Sequence, residues 1–349
     1  MRTRKRSQIF GGVVIAVLFS TACGNTTHND AILEVTNEAA QANKSVKQET
    51  MNKHYPVTLS IYSDEGKEMK QTIETEPKRV VVVGSAMAEL MIAFGLEDKV
   101  VGLGYLDQSF SKYEDQISQL PILSDLWPSK ESVIDLQPDI IYAMSSAFKE
   151  DRLGEISFWN ERGISVITAS NFTIGRSIEH YMDDIRNFGV AFDVEGKTEA
   201  FIKEQTARIT KVKQTSKSVQ NRPNVLLIAS AGRENFDYYP PSWSVIDEMI
   251  EGSGGKYVEL SDGYMEMSIE AIIAANPEKI VLTQFQDPNN ETIKTKLLSN
   301  DRLQNVEAIK KGNVMVVDYT NAIRGSLQLA DLYEDVAAFI HPEQYGGQS

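Results

Sequence analysis

Glu131-Ser132-Val133-Ile134-Asp135-Leu136-Gln137-Pro138-Asp139-Ile140-Ile141 returns later in the chain as Glu270-Ala271-Ile272-Ile273-Ala274-Ala275-Asn276-Pro277-Glu278-Lys279-Ile280. Each copy opens with a glutamate, reaches a proline seven residues later, adds an acid and runs into a β-branched stretch. The proline stops a helix, because the residue before it is pushed out of the right-handed α region. The apolar run that follows predicts a buried strand. Arg162-Gly163-Ile164 and Lys311-Gly312-Asn313 match in the same order, as glycines that close a helix and lead into a strand. Matched units in one order predict an internal repeat of α/β elements.

Outward from these pieces, the first half reads as strands at 79–84, 100–103, 139–143 and 164–168. Its helices fall at 88–94 (closed by Gly95), 131–136 and near 153–161. The second half reads as strands at 224–229, 256–260, 279–283 and 313–318, with helices at 244–250 (closed by Gly252) and 268–275. Between the halves, Ile178, Met182, Ile185, Phe188 and Phe192 mark one helix. Residues 194–219 contain no proline and carry Phe201, Ile202, Ile209 and Val212 on one side, a rod of roughly 38 Å. The expected fold class is α/β: two similar α/β lobes with central, mostly parallel sheets, joined by one long bridging helix. The expected division is 55–175 and 221–349 for the lobes and 176–220 for the helical linker.

The chain has 349 residues, a formal net charge of −14, 42% hydrophobic residues, 24% charged residues and one cysteine. These proportions exclude collagenous, coiled-coil and wholly disordered classes, and the length suits two lobes. Residues 1–22 read as a secretory signal: a basic start (Arg2, Arg4, Lys5, Arg6), the apolar stretch Ile9 to Phe19, then Ser20-Thr21-Ala22 before Cys23. Its removal leaves 31 basic against 49 acidic residues, a balance of −18. Such a surface repels phosphate backbones, so no nucleic-acid partner is expected. A lone cysteine excludes an internal disulfide and thiolate metal clusters. Residues 23–54 are polar and lack an apolar period, as a flexible tether does.

The small residues before Cys23-Gly24 resemble the lipobox of bacterial lipoproteins, although Ser20 stands where that pattern usually has leucine. The resemblance implies a palmitate-bearing lipid anchor on Cys23 and an extracytoplasmic place at the membrane. Signal, lipid site, tether, twin lobes and bridging helix together resemble the helical-backbone class of ABC-transporter substrate-binding lipoproteins, in its iron-siderophore, haem and cobalamin branch. Pro77-Lys78-Arg79-Val80-Val81-Val82, Ala88-Glu89-Leu90-Met91-Ile92-Ala93-Phe94-Gly95-Leu96 and the two Glu…Pro-acid repeats carry the likeness, over about 55–340. It implies that Glu131 and Glu270, one per lobe, dock into arginine pockets of a permease dimer, a two-point electrostatic clamp. It also implies that a monomer captures a ferric siderophore, or a related iron or tetrapyrrole chelate, between the lobes.

In α/β lobes ligands collect beyond the carboxyl ends of the strands. Those loops offer Met87, Tyr105, Trp127, Ser146, Phe148 and Asn171 in the first lobe, and Arg233, Tyr238, Tyr239, Trp243, Phe285, Tyr319 and Arg324 in the second. Aromatics and arginines suit a large, partly apolar ligand bearing carboxylate or catecholate oxygens. Trp159, in a helical pattern with Ile156, reads as core. A divalent-metal receptor needs converging histidines and carboxylates; His28, His54, His180 and His341 are the only histidines and none directly follows a core strand. The other class of reading is a surface enzyme or interaction protein on the same lobes. No nucleophile elbow, P-loop, His-Glu-x-x-His or dinucleotide fingerprint occurs, so no enzyme is expected. Gly252-Ser253-Gly254-Gly255 follows a helix rather than a strand and reads as a helix stop, while the acids at 183–184, 331, 334 and 335 read as solvated helix faces.

Overall fold

The computed structural model describes residues 54–106, 111–170, 174–229, 236–285 and 291–345. The chain enters through an antiparallel hairpin, β1 (Val57–Tyr62) and β2 (Glu68–Ile73), which the sequence pattern did not reveal. A parallel sheet follows: β3 (Val80–Val83), β4 (Val100–Gly104), β5 (Ile122–Ser124), β6 (Ile140–Met144) and β7 (Ser165–Ala169), in the order β5-β4-β3-β6-β7. Its connections carry α1 (Ser85–Ala93), α2 (Glu114–Ile117), α3 (Lys130–Asp135) and α4 (Ile156–Asn160). Every residue of β3 and β6 is buried, as in a central strand covered on both faces. The hairpin covers the β7 edge: Tyr62 donates its amide to Thr168 Oγ1 (2.8 Å) and Val166 donates its amide to Gln71 Oε1 (3.2 Å).

Two helices, α5 (Ile178–Ala191) and α6 (Glu195–Ser216), lead to a second parallel sheet. Among the described residues it comprises β8 (Asn224–Ile228), β10 (Lys256–Tyr257), β12 (Lys279–Gln284) and β13 (Val314–Asp318), in the order β10-β8-β12-β13. A short antiparallel pair, β9 (Asp237–Tyr238) and β11 (Met265–Glu266), stands beside it. The remaining α-helices among the described residues are α7 (Ile246–Gly252), α8 (Ile269–Ala275), α9 (Thr292–Leu298), α10 (Glu307–Lys310), α11 (Tyr319–Arg324), α12 (Leu329–Ile340) and α13 (Pro342–Tyr345). The α/β class and the twin parallel sheets expected from the repeat are both present.

The repeat has one physical cause in each half. Ser129 and Ser268 cap α3 and α8, accepting from the amides of Ser132 and Ala271 at almost identical backbone angles (φ −76°, ψ 157° and φ −75°, ψ 157°). Gln137 and Asn276, each just before its proline, take positive φ (46° and 39°) and end the helix. The acid after each proline then caps a strand of the same sheet. Asp139 accepts from the amides of Lys78 (2.7 Å) and Arg79 (3.1 Å) at the start of β3, and Glu278 accepts from the Asn224 amide (2.9 Å) at the start of β8.

Helix α6 has 22 residues, about 33 Å, and is shorter at both ends than its pattern predicted. Near its start, Thr198 fills the space beside Gly189 of α5. Further along, Gln205 Oε1 accepts from the Ala330 amide of α12 (2.9 Å), and Arg208 pairs with Asp331 and Glu334. The rod therefore touches helices of both halves, and buried side chains of the two sheets form one continuous apolar cluster. Trp159 is fully buried with its indole N–H donated to the Leu153 carbonyl (3.0 Å), as expected of a core residue.

Candidate functional site

The strand order changes direction at β3, flanked by β4 and β6, and at β8, flanked by β10 and β12. Crevices form at such switch points, outside the carboxyl ends of the strands. The segments that leave those ends carry the side chains described next.

On the second sheet, Tyr239 and Tyr319 share a hydroxyl–hydroxyl hydrogen bond of 2.8 Å. Trp243 and Tyr264 each lie 6.0 Å from the Tyr239 ring, and Phe285 meets Tyr319 edge-on at 5.7 Å. Trp243 and Tyr264 are both 45% exposed, so this aromatic wall presents free surface. Its footing is polar. Tyr257 donates its hydroxyl to the Tyr239 carbonyl (2.7 Å), and Tyr264 donates to Asp237 Oδ1 (2.8 Å). Burial first, and then the neighbouring Tyr319, push the Tyr239 phenol above its ordinary pKa.

Trp243 sits on a turn held by Asp247, whose carboxylate accepts from the Ser242 amide (3.0 Å). Burial raises the Asp247 pKa to about 6. A carboxyl with a raised folded-state pKa favours folding fully below its unfolded value near 4 and loses that contribution as pH rises towards 6. Asp247→Asn is therefore expected to leave stability unchanged at pH 4 and to raise it at pH 7.5 by about 1–2 kcal/mol, after allowance for partial exposure. Denaturant unfolding at the two pH values checks this, and an equal effect at both would separate the residue from any titration.

On the first sheet, Tyr105 stacks on Trp127 with centroids 3.9 Å apart and planes at 20°. The Arg152 guanidinium lies 3.8 Å from the same indole centroid and donates to the Ser146 carbonyl (2.7 Å). Two groups this close to one ring must take opposite faces. Trp127 thus has both faces covered and serves as a rigid platform with an edge to offer.

Arg176 and Arg324 link the two sides. Arg176 precedes α5, yet its guanidinium donates to the Trp243 carbonyl (2.6 Å) and its amide donates to the Ser242 carbonyl (3.0 Å). Burial, reinforced by the nearby Arg324, holds Arg176 below the ordinary arginine pKa. Among the described residues Arg176 has no ion pair. Arg324 closes α11 and lines a small cavity together with Met87, Glu89 and Tyr142 from the first half and Tyr181 and Asp184 from α5. Gly325 follows at φ 85°, and a Cβ there would approach the Tyr181 ring to 3.1 Å, so the second half packs closely on α5 beside the arginine. Glu89 accepts from the Ser111 hydroxyl (2.9 Å), and burial raises its pKa. The two guanidiniums thus stand beside the aromatic wall, with Glu89 and Asp184 lining the same small cavity as Arg324.

The structure brings together Tyr239, Trp243, Phe285 and Tyr319, and separately Tyr105, Trp127 and Ser146. Met87 and Phe148 are 3% and 5% exposed, and Met87 reaches the cavity as lining. Tyr238, the second residue of β9, exposes no surface at all, while Tyr239 just beyond the strand is part-exposed. Asn171, Arg233 and Cys23 lie outside the described residues. Sequence reasoning missed Arg152, Arg176 and Tyr264. Arg176 carried a usable signal, since it follows β7 on the segment leading to the Ser177 cap of α5.

Glu131 and Glu270 are exposed in the first turns of α3 and α8. Glu270 is ion-paired with Arg302; among the described residues Glu131 has no such partner. Of the described histidines, His180 and His341 bond to the carbonyls of Gly175 and Gly254. His54 lies 3.4 Å from Asp193 and 3.6 Å from Glu195, at the α5–α6 corner beside the end of α1 rather than at the strand tips.

A family model described as periplasmic binding protein matches residues 80–319. An uncharacterized ABC transporter substrate-binding lipoprotein of Bacillus subtilis, YvrC, is 24% identical over 344 residues, covering 98% of this chain and 99% of that one. The petrobactin-binding protein YclQ of the same organism is 24% identical over 320 residues, 90% and 91% of the two chains. A crystal structure of a periplasmic binding protein from Veillonella parvula superposes with a TM-score of 0.74 at 20% identity, covering 84% of this chain and 93% of that one.

Proposed function

The chain belongs to the periplasmic binding protein family, and from that premise we propose that it is the extracytoplasmic receptor of an ABC importer, capturing a ferric siderophore or a related iron or tetrapyrrole chelate. The observation that carries this reading is the pair Arg176 and Arg324 beside the Tyr239–Tyr319–Trp243 wall, next to a cavity lined from both halves. Guanidiniums supply forked hydrogen bonds to anionic oxygens, and the aromatic surface takes the apolar framework of the ligand. The petrobactin-binding relative supports the same ligand class. Residues 55–175 and 221–349 serve as the lobes and 176–220 as their strut. The 22-residue rod and the shared core favour small hinge motions over wide opening. Glu131 and Glu270 present the loaded receptor to a permease. Residues 1–22 act as the export signal, and Cys23 carries the lipid that holds a monomer at the membrane through the 23–54 tether. The protein performs no covalent chemistry in this reading.

Fluorescence titration tests the proposal. A Cys23→Ala variant is expected in the soluble fraction; retention in the membrane would remove the lipid anchor from the reading. Titrated against ferric siderophores, haem, cobalamin and free divalent metals, it should be quenched by one chelate class. Half-exposed Trp243 is the reporter, so Trp243→Phe should lose most of the signal. Absence of quenching by every chelate, together with turnover of a surface substrate, would favour an enzyme instead.

A further inference from the structure

The two docking helices match beyond their glutamates. From Glu131 to Pro138 and from Glu270 to Pro277, exposure follows the same residue-by-residue pattern. Val133 and Ile272 are fully buried, while the next residues, Ile134 and Ile273, are 38% and 42% exposed. Residues three apart share a helix face, so each half presents a glutamate and an isoleucine side by side, Glu131 with Ile134 and Glu270 with Ile273.

Local needs do not account for these isoleucines. The buried neighbours Val133 and Ile272 already anchor the helices to their sheets, and a β-branched side chain is a mediocre helix former. Among the described residues the large apolar side chains left this exposed are Ile122, Leu126, Ile134, Trp243, Tyr264 and Ile273; Trp243 and Tyr264 belong to the aromatic wall, and Ile134 and Ile273 alone recur at one register of the repeat.

We infer that Ile134 and Ile273 are paired apolar contacts for the permease, each seated beside the glutamate of its own half. This rests on the docking reading of Glu131 and Glu270 given above. A permease dimer offers the same surface twice, and a repeated acid-plus-isoleucine patch fits two copies of one basic, apolar-rimmed pocket. Burying the isoleucines excludes water from the carboxylate–arginine pairs and strengthens them. The apolar half of the contact resists salt and supplies affinity; the acidic half supplies orientation and approach rate.

The experiment compares Ile134→Gln/Ile273→Gln with Glu131→Ala/Glu270→Ala in proteoliposomes containing the permease, with ligand titration as the check on folding. Glutamine keeps helix propensity and adds no charge. The double glutamine variant should bind chelate normally yet dock about tenfold or more weakly, and Ile134→Leu/Ile273→Leu should dock normally. Normal docking of the glutamine pair, with docking lost in the alanine pair, overturns the apolar contact and leaves the glutamates in place. If neither pair of substitutions weakens docking, the permease reading of this face falls as well.

Discussion

Alanine at both Glu131 and Glu270 is expected to abolish uptake of the chelate by cells while its affinity for the isolated receptor stays unchanged. Both carboxylates stand in the exposed first turns of capped helices, and neither lines the cavity with Arg324 nor bonds to Arg176. Loss of one member of a desolvated charge pair weakens an interface strongly, and two such losses should reduce docking by on the order of a hundredfold or more. The two single variants should differ. Glu270 is already engaged by Arg302 on its own surface, so a permease arginine must displace that partner, whereas Glu131 has no ion pair among the described residues. Glu131→Ala should therefore cause the larger loss. Docking to reconstituted permease measures this, and weakened chelate binding in either variant would contradict a docking role.

Arg324→Ala carries the second large effect. It should weaken an anionic chelate by about 1.5–3 kcal/mol, roughly 10–150-fold, the value of a hydrogen bond to a charged group. Arg324 lines the cavity between the halves and lies near Arg176, a second guanidinium with a lowered pKa. Unfolding of the ligand-free variant, measured beside its affinity for chelate, separates a binding role from a structural one. Arg176→Lys tests the other member: it keeps the charge but loses the planar guanidinium, whose Nη1 donates to the Trp243 carbonyl, so affinity should fall while the salt dependence of binding persists. Dissociation constants measured at two ionic strengths decide both cases. Unchanged constants would return these arginines to a purely structural role.

Helices α3 and α8 were legible because their causes are local. A capping serine, a proline and an acid act within about ten residues, so Ser129–Asp139 and Ser268–Glu278 can be read without knowing what packs on them. The entry hairpin was not legible: its strands VTLSIY and EMKQTI alternate, but they are short, and β2 is mostly polar. Its place is set by a distant edge, through Tyr62 on Thr168 and Gln71 on Val166. Arg152 and Arg176 were missed for a similar reason. Arg152 gains its position from Trp127, and Arg176 from a carbonyl 67 residues away.

From residue order alone came the class, the repeat, the strut and the two acids that mark equivalent helices, since helix caps, stops and apolar periods are properties of neighbours along the chain. Folding in three dimensions decided which loop side chains count. It buried Tyr238 and left Tyr239 part-exposed, covered both faces of Trp127, set Arg176 beside Trp243, and left Ile134 and Ile273 in the open. Exposure and cross-chain pairing depend on what packs against a residue from far along the chain, and no local spacing encodes that.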